Sequence, residues 1–182
     1  MIEEPTSVAS LTEILRLNDV HLAVAFGYGA YPGYSIDRLL EVCAVPLCSP
    51  ELLHGSVPLR GPADLAHHTL LHDDTDYAGH PSWEDWLRQA GAADLDVRRG
   101  FRFNHVSLAL EAAADGQGVA LGLSPLAVKD LASGKLVVPF GPSLPLGRAY
   151  YLLRPEGTAQ DPRVRLFRDW LVDEAEDSVA NH

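Results

Sequence analysis

An α/β fold organised in two lobes follows from three features of the 182-residue sequence. Short apolar runs that read as buried strands alternate with segments of helical periodicity along most of the chain. Glycine and proline break the chain at most junctions. A middle stretch, residues 48–143, is long enough to form its own lobe, leaving residues 1–47 and 144–182 to share the other. Alternation of this kind favours mostly parallel sheet covered by helices.

The elements follow in order. Thr6–Leu17 reads as a helix, with Thr6 or Ser7 as its cap and Val8, Leu11, Ile14 and Leu15 at helical spacing. His21–Phe26 is a short apolar strand, and residues 27–33 are a glycine-rich loop. Leu39–Leu47 is extended. Ser49 then caps a short helix, Pro50–Leu53, which has proline at its first position. Gly61–Ala66 is a helical turn and Thr69–His72 a strand. Ser82–Ala90 is a helix with Ser82 and Asp85 as an approximate capping box, Trp83, Trp86 and Leu87 on one face, and Gly91 as the stop. Arg99–Phe103 alternates as a strand. Asn104 caps an apolar helix, His105–Ala114. Val119–Leu123 is a strand, and Ser124 caps a helix to Leu131. Leu136–Phe140 and Arg148–Leu153 are further strands. The last helix opens at Asp161 and Pro162, with Val164, Phe167, Trp170, Leu171 and Ala175 on one face.

Composition excludes several function classes. Hydrophobic residues make up 47% and charged residues 21%, so the chain is globular and not disordered. Its formal charge of −11 repels phosphate backbones, and no basic run longer than Arg98, Arg99 and Arg102 offsets this. Duplex DNA is therefore not expected to bind these residues alone. No run approaches the roughly 20 apolar residues that span a bilayer, and residues 1–5 show no leader pattern. No membrane partner is expected, and the cytoplasm is the expected compartment. Cys43 and Cys48, five apart, point to opposite faces of an extended segment and read as reduced thiols rather than a disulfide or a zinc pair.

The order of motifs resembles the effector-binding domain of LysR-type transcriptional regulators. Leu22-Ala-Val-Ala-Phe-Gly-Tyr-Gly-Ala-Tyr-Pro-Gly33 is similar to their DLAIRYGxGxWPG segment. Val45–Pro50 is similar to their hinge strand and following helix, Pro62–His72 to ADLxxHxLLH, and Trp83–Leu87 to the aromatic helix after it. Phe103–Leu121 resembles the helix ending in GxGVAL. Leu131–Val138 and Phe167–Leu171 complete the series, which covers about residues 6–175. The regulators of glycine cleavage and of β-lactamase induction form the subgroup it resembles most. The resemblance implies a periplasmic-binding-protein-like (type 2) fold: two lobes, a two-strand hinge and a small-molecule effector in the cleft. It also implies a homo-oligomer that meets DNA only through a helix-turn-helix, which these residues do not include. The strand and helix that normally open such a domain also lack a counterpart here, so the fold is expected to be incomplete at its N-terminal side.

Candidate ligand-binding residues come from strand ends and one helix start. A helix N-terminus carries unpaired N–H groups and partial positive charge, which suits a carboxylate or phosphate. Asn104, His105 and Ser107 stand at such a start, although Asn104 equally serves as a plain cap. Phe26, Gly27 and Tyr28 follow a strand at its C-terminal end, where open α/β sheets bind ligands, although a plain turn explains them as well. His72, Gly122 and Tyr150 complete the set. The run from His67 to His80 is rich in metal-ligand residue types. However, His68 and His72 in a strand stand about 13 Å apart, so a surface loop is the preferred reading and no metal or cofactor is expected. Ser107, His72 and Asp73 could be written as a triad, but no G-x-S-x-G elbow presents a serine, and residues 116–118 are not a phosphate loop. The expected function is therefore effector sensing and not catalysis. The alternative is a stand-alone module that pairs with a full-length regulator, and a solute-binding protein ranks behind both.

Overall fold

The computed structural model describes residues 8–17, 20–74, 81–158 and 161–180. Its elements are α1 (Val8–Leu17), β1 (Ala23–Gly27), β2 (Tyr34–Leu47), β3 (Leu70–Asp73), α2 (Trp83–Gln89), β4 (Phe101–Phe103), α3 (Val106–Ala114), β5 (Val119–Leu123), α4 (Ser124–Ala132), β6 (Leu144–Pro155) and α5 (Pro162–Ala180). Short 3-10 helices lie at Pro50–Leu53, Pro62–His67 and Glu156–Thr158. The chain divides into two units, Met1–Glu41 with Gly147–His182, and Val42–Leu146. Both divisions fall inside strands, β2 and β6. Among the described residues, no helix is long and apolar enough to cross a membrane.

In the first unit, β6 lies between β1 and β2. It runs antiparallel to β1, from Ala23 opposite Leu153 to Gly27 opposite Ala149. Leu15, Ala25, Tyr31 and Leu153 form the core, with Val20, Ala23, Tyr34 and Tyr151 packed against it. Burial raises the Tyr31 hydroxyl pKa, with a smaller push from Tyr151. Asp37 of β2 accepts a hydrogen bond from Arg168 Nη2 of α5 and pairs with Arg154 of β6 at 3.3 Å.

That ion pair corrects the expected facing of the last helix. Val164 and Ala175 are buried as expected, but the helix turns Arg168 toward Asp37. Phe167 and Trp170 are left 47% and 54% exposed, stacked on each other at 5.4 Å. Apolar residues occupy too much of this helix for spacing alone to choose the inner face, and the half-buried Arg168–Asp37 pair makes the choice.

In the second unit the strand order is β2-β5-β3-β4. β2 and β5 are antiparallel, with Ala44 opposite Leu123, whereas β3 is parallel to both β4 and β5. β3 is thus parallel to its neighbours while β1–β6 and β2–β5 are antiparallel, which corrects the expectation of mostly parallel sheet. A single crossover helix enforces parallel direction, but β1 and β6, or β2 and β5, are separated by long excursions that leave either direction open. The core joins Leu47, Leu71, Ala120 and Leu136 to the alanine-rich face of α3 (Ala109, Ala112, Ala113), where small side chains let the helix approach the sheet. Trp83, Trp86 and Leu87 bury the inner face of α2, and Ser82 caps it by accepting from the Asp85 amide at 3.1 Å. Burial pushes the Cys48 thiol up to about 11, which keeps it protonated and inert; both cysteines are free.

Several element boundaries move. The extended run expected from Leu39 begins at Tyr34. The expected strand Leu136–Phe140 reduces to one bridge between Val137 and Cys48, because Pro139 has no amide to donate to a ladder. Helix α3 starts one residue late: His105, not Asn104, is its N-cap, with φ −150° and ψ 126° and no side-chain cap. Leu123 precedes α4, so Ser124 is its first residue. The Ser124 hydroxyl instead accepts from the Cys43 amide at 3.3 Å. Thr6, Ser7 and residues 75–80 lie outside the described residues.

Candidate functional site

The second unit gathers part of the candidate set at one end of its parallel strands. β3 and β4 run side by side, with His72 opposite Arg102 and Asp73 opposite Phe103, so the chain leaves both strands at the same edge. It turns into α3 directly after β4. Asn104, His105 and Ser107 are exposed there, on a nine-residue helix whose N-cap, His105, makes no side-chain cap hydrogen bond. The Leu108 and Ala109 amides are tied to His105 O at 3.1 and 3.4 Å. The turn before them therefore presents amide donors and partial positive charge to solvent.

His72 is half-buried, with Nε2 3.3 Å from Arg99 O. A carbonyl can only accept, so Nε2 is the donor in this contact, which fixes the orientation of the ring. His72 also lines a cavity of about 150 Å³ with Asp73, Asp74, Trp83, Arg98 and Arg102. Arg102 and Asp74 pair at 2.8 Å across its rim.

Gly122 has different surroundings. A Cβ there would lie 2.5 Å from Leu47 Cδ1 and 2.8 Å from Leu110 Cδ2, inside the core. Close packing against β2 and α3 accounts for the glycine. Gly122→Ala should cost about 1–3 kcal/mol by overpacking. Urea denaturation is the measurement, and an unchanged midpoint would show that Leu47 and Leu110 move aside freely.

The first unit gathers the rest. Phe26 and Tyr150 are opposite each other on β1 and β6, with ring centroids 5.2 Å apart. Gly27 allows Tyr31 to pass at close range, since a Cβ would collide with the Tyr31 hydroxyl. Tyr28 is 69% exposed. The structure adds Arg148, which sequence reasoning missed. Its guanidinium lies 4.8 Å over the Tyr28 ring and 5.7 Å from that of Phe26, and Nη2 donates to Tyr28 Oη at 2.9 Å. Stacking on two aromatic faces orients a guanidinium and leaves its edge donors in plane. The only signal available was its place one residue before Ala149, the partner of Gly27.

The geometry offers oriented amide donors and an imidazole in one unit, and an aromatic-stacked guanidinium in the other. Groups of these kinds suit anions or polar molecules. Among the described residues, no group of three histidine, cysteine, aspartate or glutamate side chains could hold a metal ion.

Comparison with known proteins gives the family and the fold. The LysR substrate binding domain profile matches residues 4–176. The glycine cleavage system transcriptional activator of Escherichia coli (strain K12) is 38% identical over 158 residues, covering 87% of this chain but 50% of that protein, so the chain spans about half the length of such relatives. Among solved structures, the effector domain of the transcriptional regulator AmpR of Pseudomonas aeruginosa superposes with a TM-score of 0.65 at 30% identity, over 92% of this chain and 78% of that one. The AmpR effector binding domain from Citrobacter freundii gives 0.66 at 25% identity, over 90% and 78%.

Proposed function

Because the chain belongs to the LysR substrate-binding domain family, a family of transcriptional regulators with a periplasmic-binding-protein-like type 2 fold, we propose that it senses a small polar or acidic metabolite and controls DNA binding by a helix-turn-helix joined to it. Cytoplasmic placement goes with that role. The observation that carries this reading is the position of the α3 start at the C-terminal edge of β3 and β4.

A carboxylate or phosphate at that start would accept from the first-turn amides, with Asn104, His105 and Ser107 as side-chain donors. The helix dipole contributes a few tenths to about 1 kcal/mol before side chains are counted. Tyr28, Phe26, Tyr150 and Arg148 form a second candidate contact set. An effector would shift the regulator between two states by the difference in its affinity for them.

Ser107→Glu tests the reading. It places a carboxylate where the effector's would sit, in a first-turn position that suits the helix itself. A thermal-shift screen of carboxylates, from acetate to amino acids and dicarboxylates, supplies the probe, and calorimetry compares the two proteins. Affinity for the probe should fall about tenfold or more with the melting temperature unchanged. Equal affinities would place the ligand elsewhere, and Arg148→Ala then asks whether it lies on the first unit.

A further inference from the structure

We propose that the cavity walled by β3, β4 and the start of α2 is a binding site for a small α-amino acid, taken up as its zwitterion. The cavity holds about 150 Å³, the room that about six non-hydrogen atoms fill. Its apolar wall is made by Leu71, Trp83, Val97 and Leu121, all of them buried. Its charged lining is Asp73, Asp74 and Glu84 against Arg98 and Arg102, with His72 held beside them by Arg99 O. Arg98 is also tied to Asp96 at 3.1 Å, so the surroundings carry more negative charge than positive. A ligand with a carboxylate alone meets that excess and is repelled. A ligand with an ammonium alone draws Asp74 away from Arg102. A zwitterion answers both charges.

The Arg102–Asp74 pair on the rim supplies both polar contacts. It joins Nη1 to Oδ1 at 2.8 Å, and a guanidinium has further N–H donors and a carboxylate a second oxygen. A ligand carboxylate on Arg102 and a ligand ammonium on Asp74 close a ring of four alternating charges, each joined to the next by a charge-assisted hydrogen bond. The two side chains are 54% and 46% exposed, so their pair contributes little to stability and shifts at small cost. The side chain of the amino acid then lies on Leu71, Val97 and Leu121. The volume admits alanine, serine or valine and excludes long or aromatic side chains. Asn104, His105 and Ser107 do not line this cavity. It is therefore separate from the α3 start, and its occupancy does not rest on the reading given for that start.

The test uses the whole chain and L-alanine, with propionate and ethylamine as controls that each lack one of its charged groups. Trp83 stands in the cavity wall, so tryptophan emission reports occupancy, and calorimetry gives the affinity. Alanine should shift the emission and bind at about millimolar affinity. Neither control should do so at about tenfold higher concentration. Asp74→Asn and Arg102→Gln should each weaken alanine binding about tenfold or more, with the melting temperature and circular dichroism of wild type. The proposal is overturned if alanine, serine and valine all fail to bind, or if propionate or ethylamine binds as well as alanine. It is equally overturned if both rim variants bind alanine as wild type does. Ser107→Glu separates the two sites. Alanine binding lost in that variant and kept in Asp74→Asn and Arg102→Gln would assign the ligand to the α3 start and remove it from the cavity.

Discussion

Trp86→Ala should destabilise the second unit by about 3–5 kcal/mol. Trp86 is completely buried in α2. Its ring sits edge-on to Trp83 at 5.7 Å and tilted to Phe140 at 5.9 Å. Its indole Nε1 donates to Pro142 O at 2.7 Å, which ties the helix to the segment leading into β6. Alanine removes the largest side chain of this core, leaves a cavity lined by aromatic rings, and strands the Pro142 carbonyl. Trp86→Phe keeps most of the volume and loses the donor, so it should cost less, about 1–2 kcal/mol more than a neutral ring exchange would. Urea titrations followed by far-ultraviolet circular dichroism measure both. A midpoint unmoved by Trp86→Ala would mean that the α2 face is exposed in solution.

Asp37→Asn should cost about 2–4 kcal/mol at neutral pH, most of it from the first unit. The substitution leaves Arg154, 16% exposed at its side chain, without its carboxylate, whereas Arg168, 32% exposed, keeps its 2.8 Å pair with Asp169. Stranding a fully buried charge costs about 3–5 kcal/mol, and the partial exposure of Arg168 lowers that figure. The cost depends on pH. The hydrogen bond from Arg168 is the main cause that holds the Asp37 carboxyl below its ordinary value, against desolvation, with both guanidiniums adding to it. A carboxylate depressed on folding stabilises fully above its unfolded pKa of about 3.9 and loses that contribution as pH falls through the folded value. The gap in stability between wild type and Asp37→Asn should therefore be constant from pH 7 to pH 5 and close in stronger acid. A gap that persists unchanged at pH 2.5 would trace the loss to packing and not to charge.

What the sequence made legible was local. Ser82 and Ser49 cap their helices as expected, because a cap is decided within three residues. The inner face of α2 is right because three large apolar residues at helical spacing leave one solution. The beginning of β2 was not legible. Residues 34–38 include a serine, an aspartate and an arginine, and Asp37 is accommodated by ion pairing with residues more than a hundred positions away. The facing of α5 failed for the same reason from the other side of the pair. At the candidate sites, the α3 start was visible as a strand running into a helix, one residue out of place. Arg148 was invisible, since only the antiparallel register of β1 and β6 brings it over Tyr28. Sequence periodicity reports which elements exist; it carries little information about which distant charge will sit beside them.

The division inside β2 and β6 has a consequence for the order of assembly. Val42–Leu146 is continuous, whereas the other unit is made from two pieces on either side of it. Joining those pieces across an unfolded intervening chain would cost about 4 kcal/mol in closure entropy, from the logarithm of its length. Once the continuous unit has folded, that loss is already met, because β2 and β6 are neighbours in the sheet. On a ribosome, β1 emerges before the continuous unit and must wait, with Ala25 unburied and the backbone edge that β6 pairs left open, until β6 arrives. The strand most exposed to wrong pairing or to proteases is thus made well before the elements that shelter it.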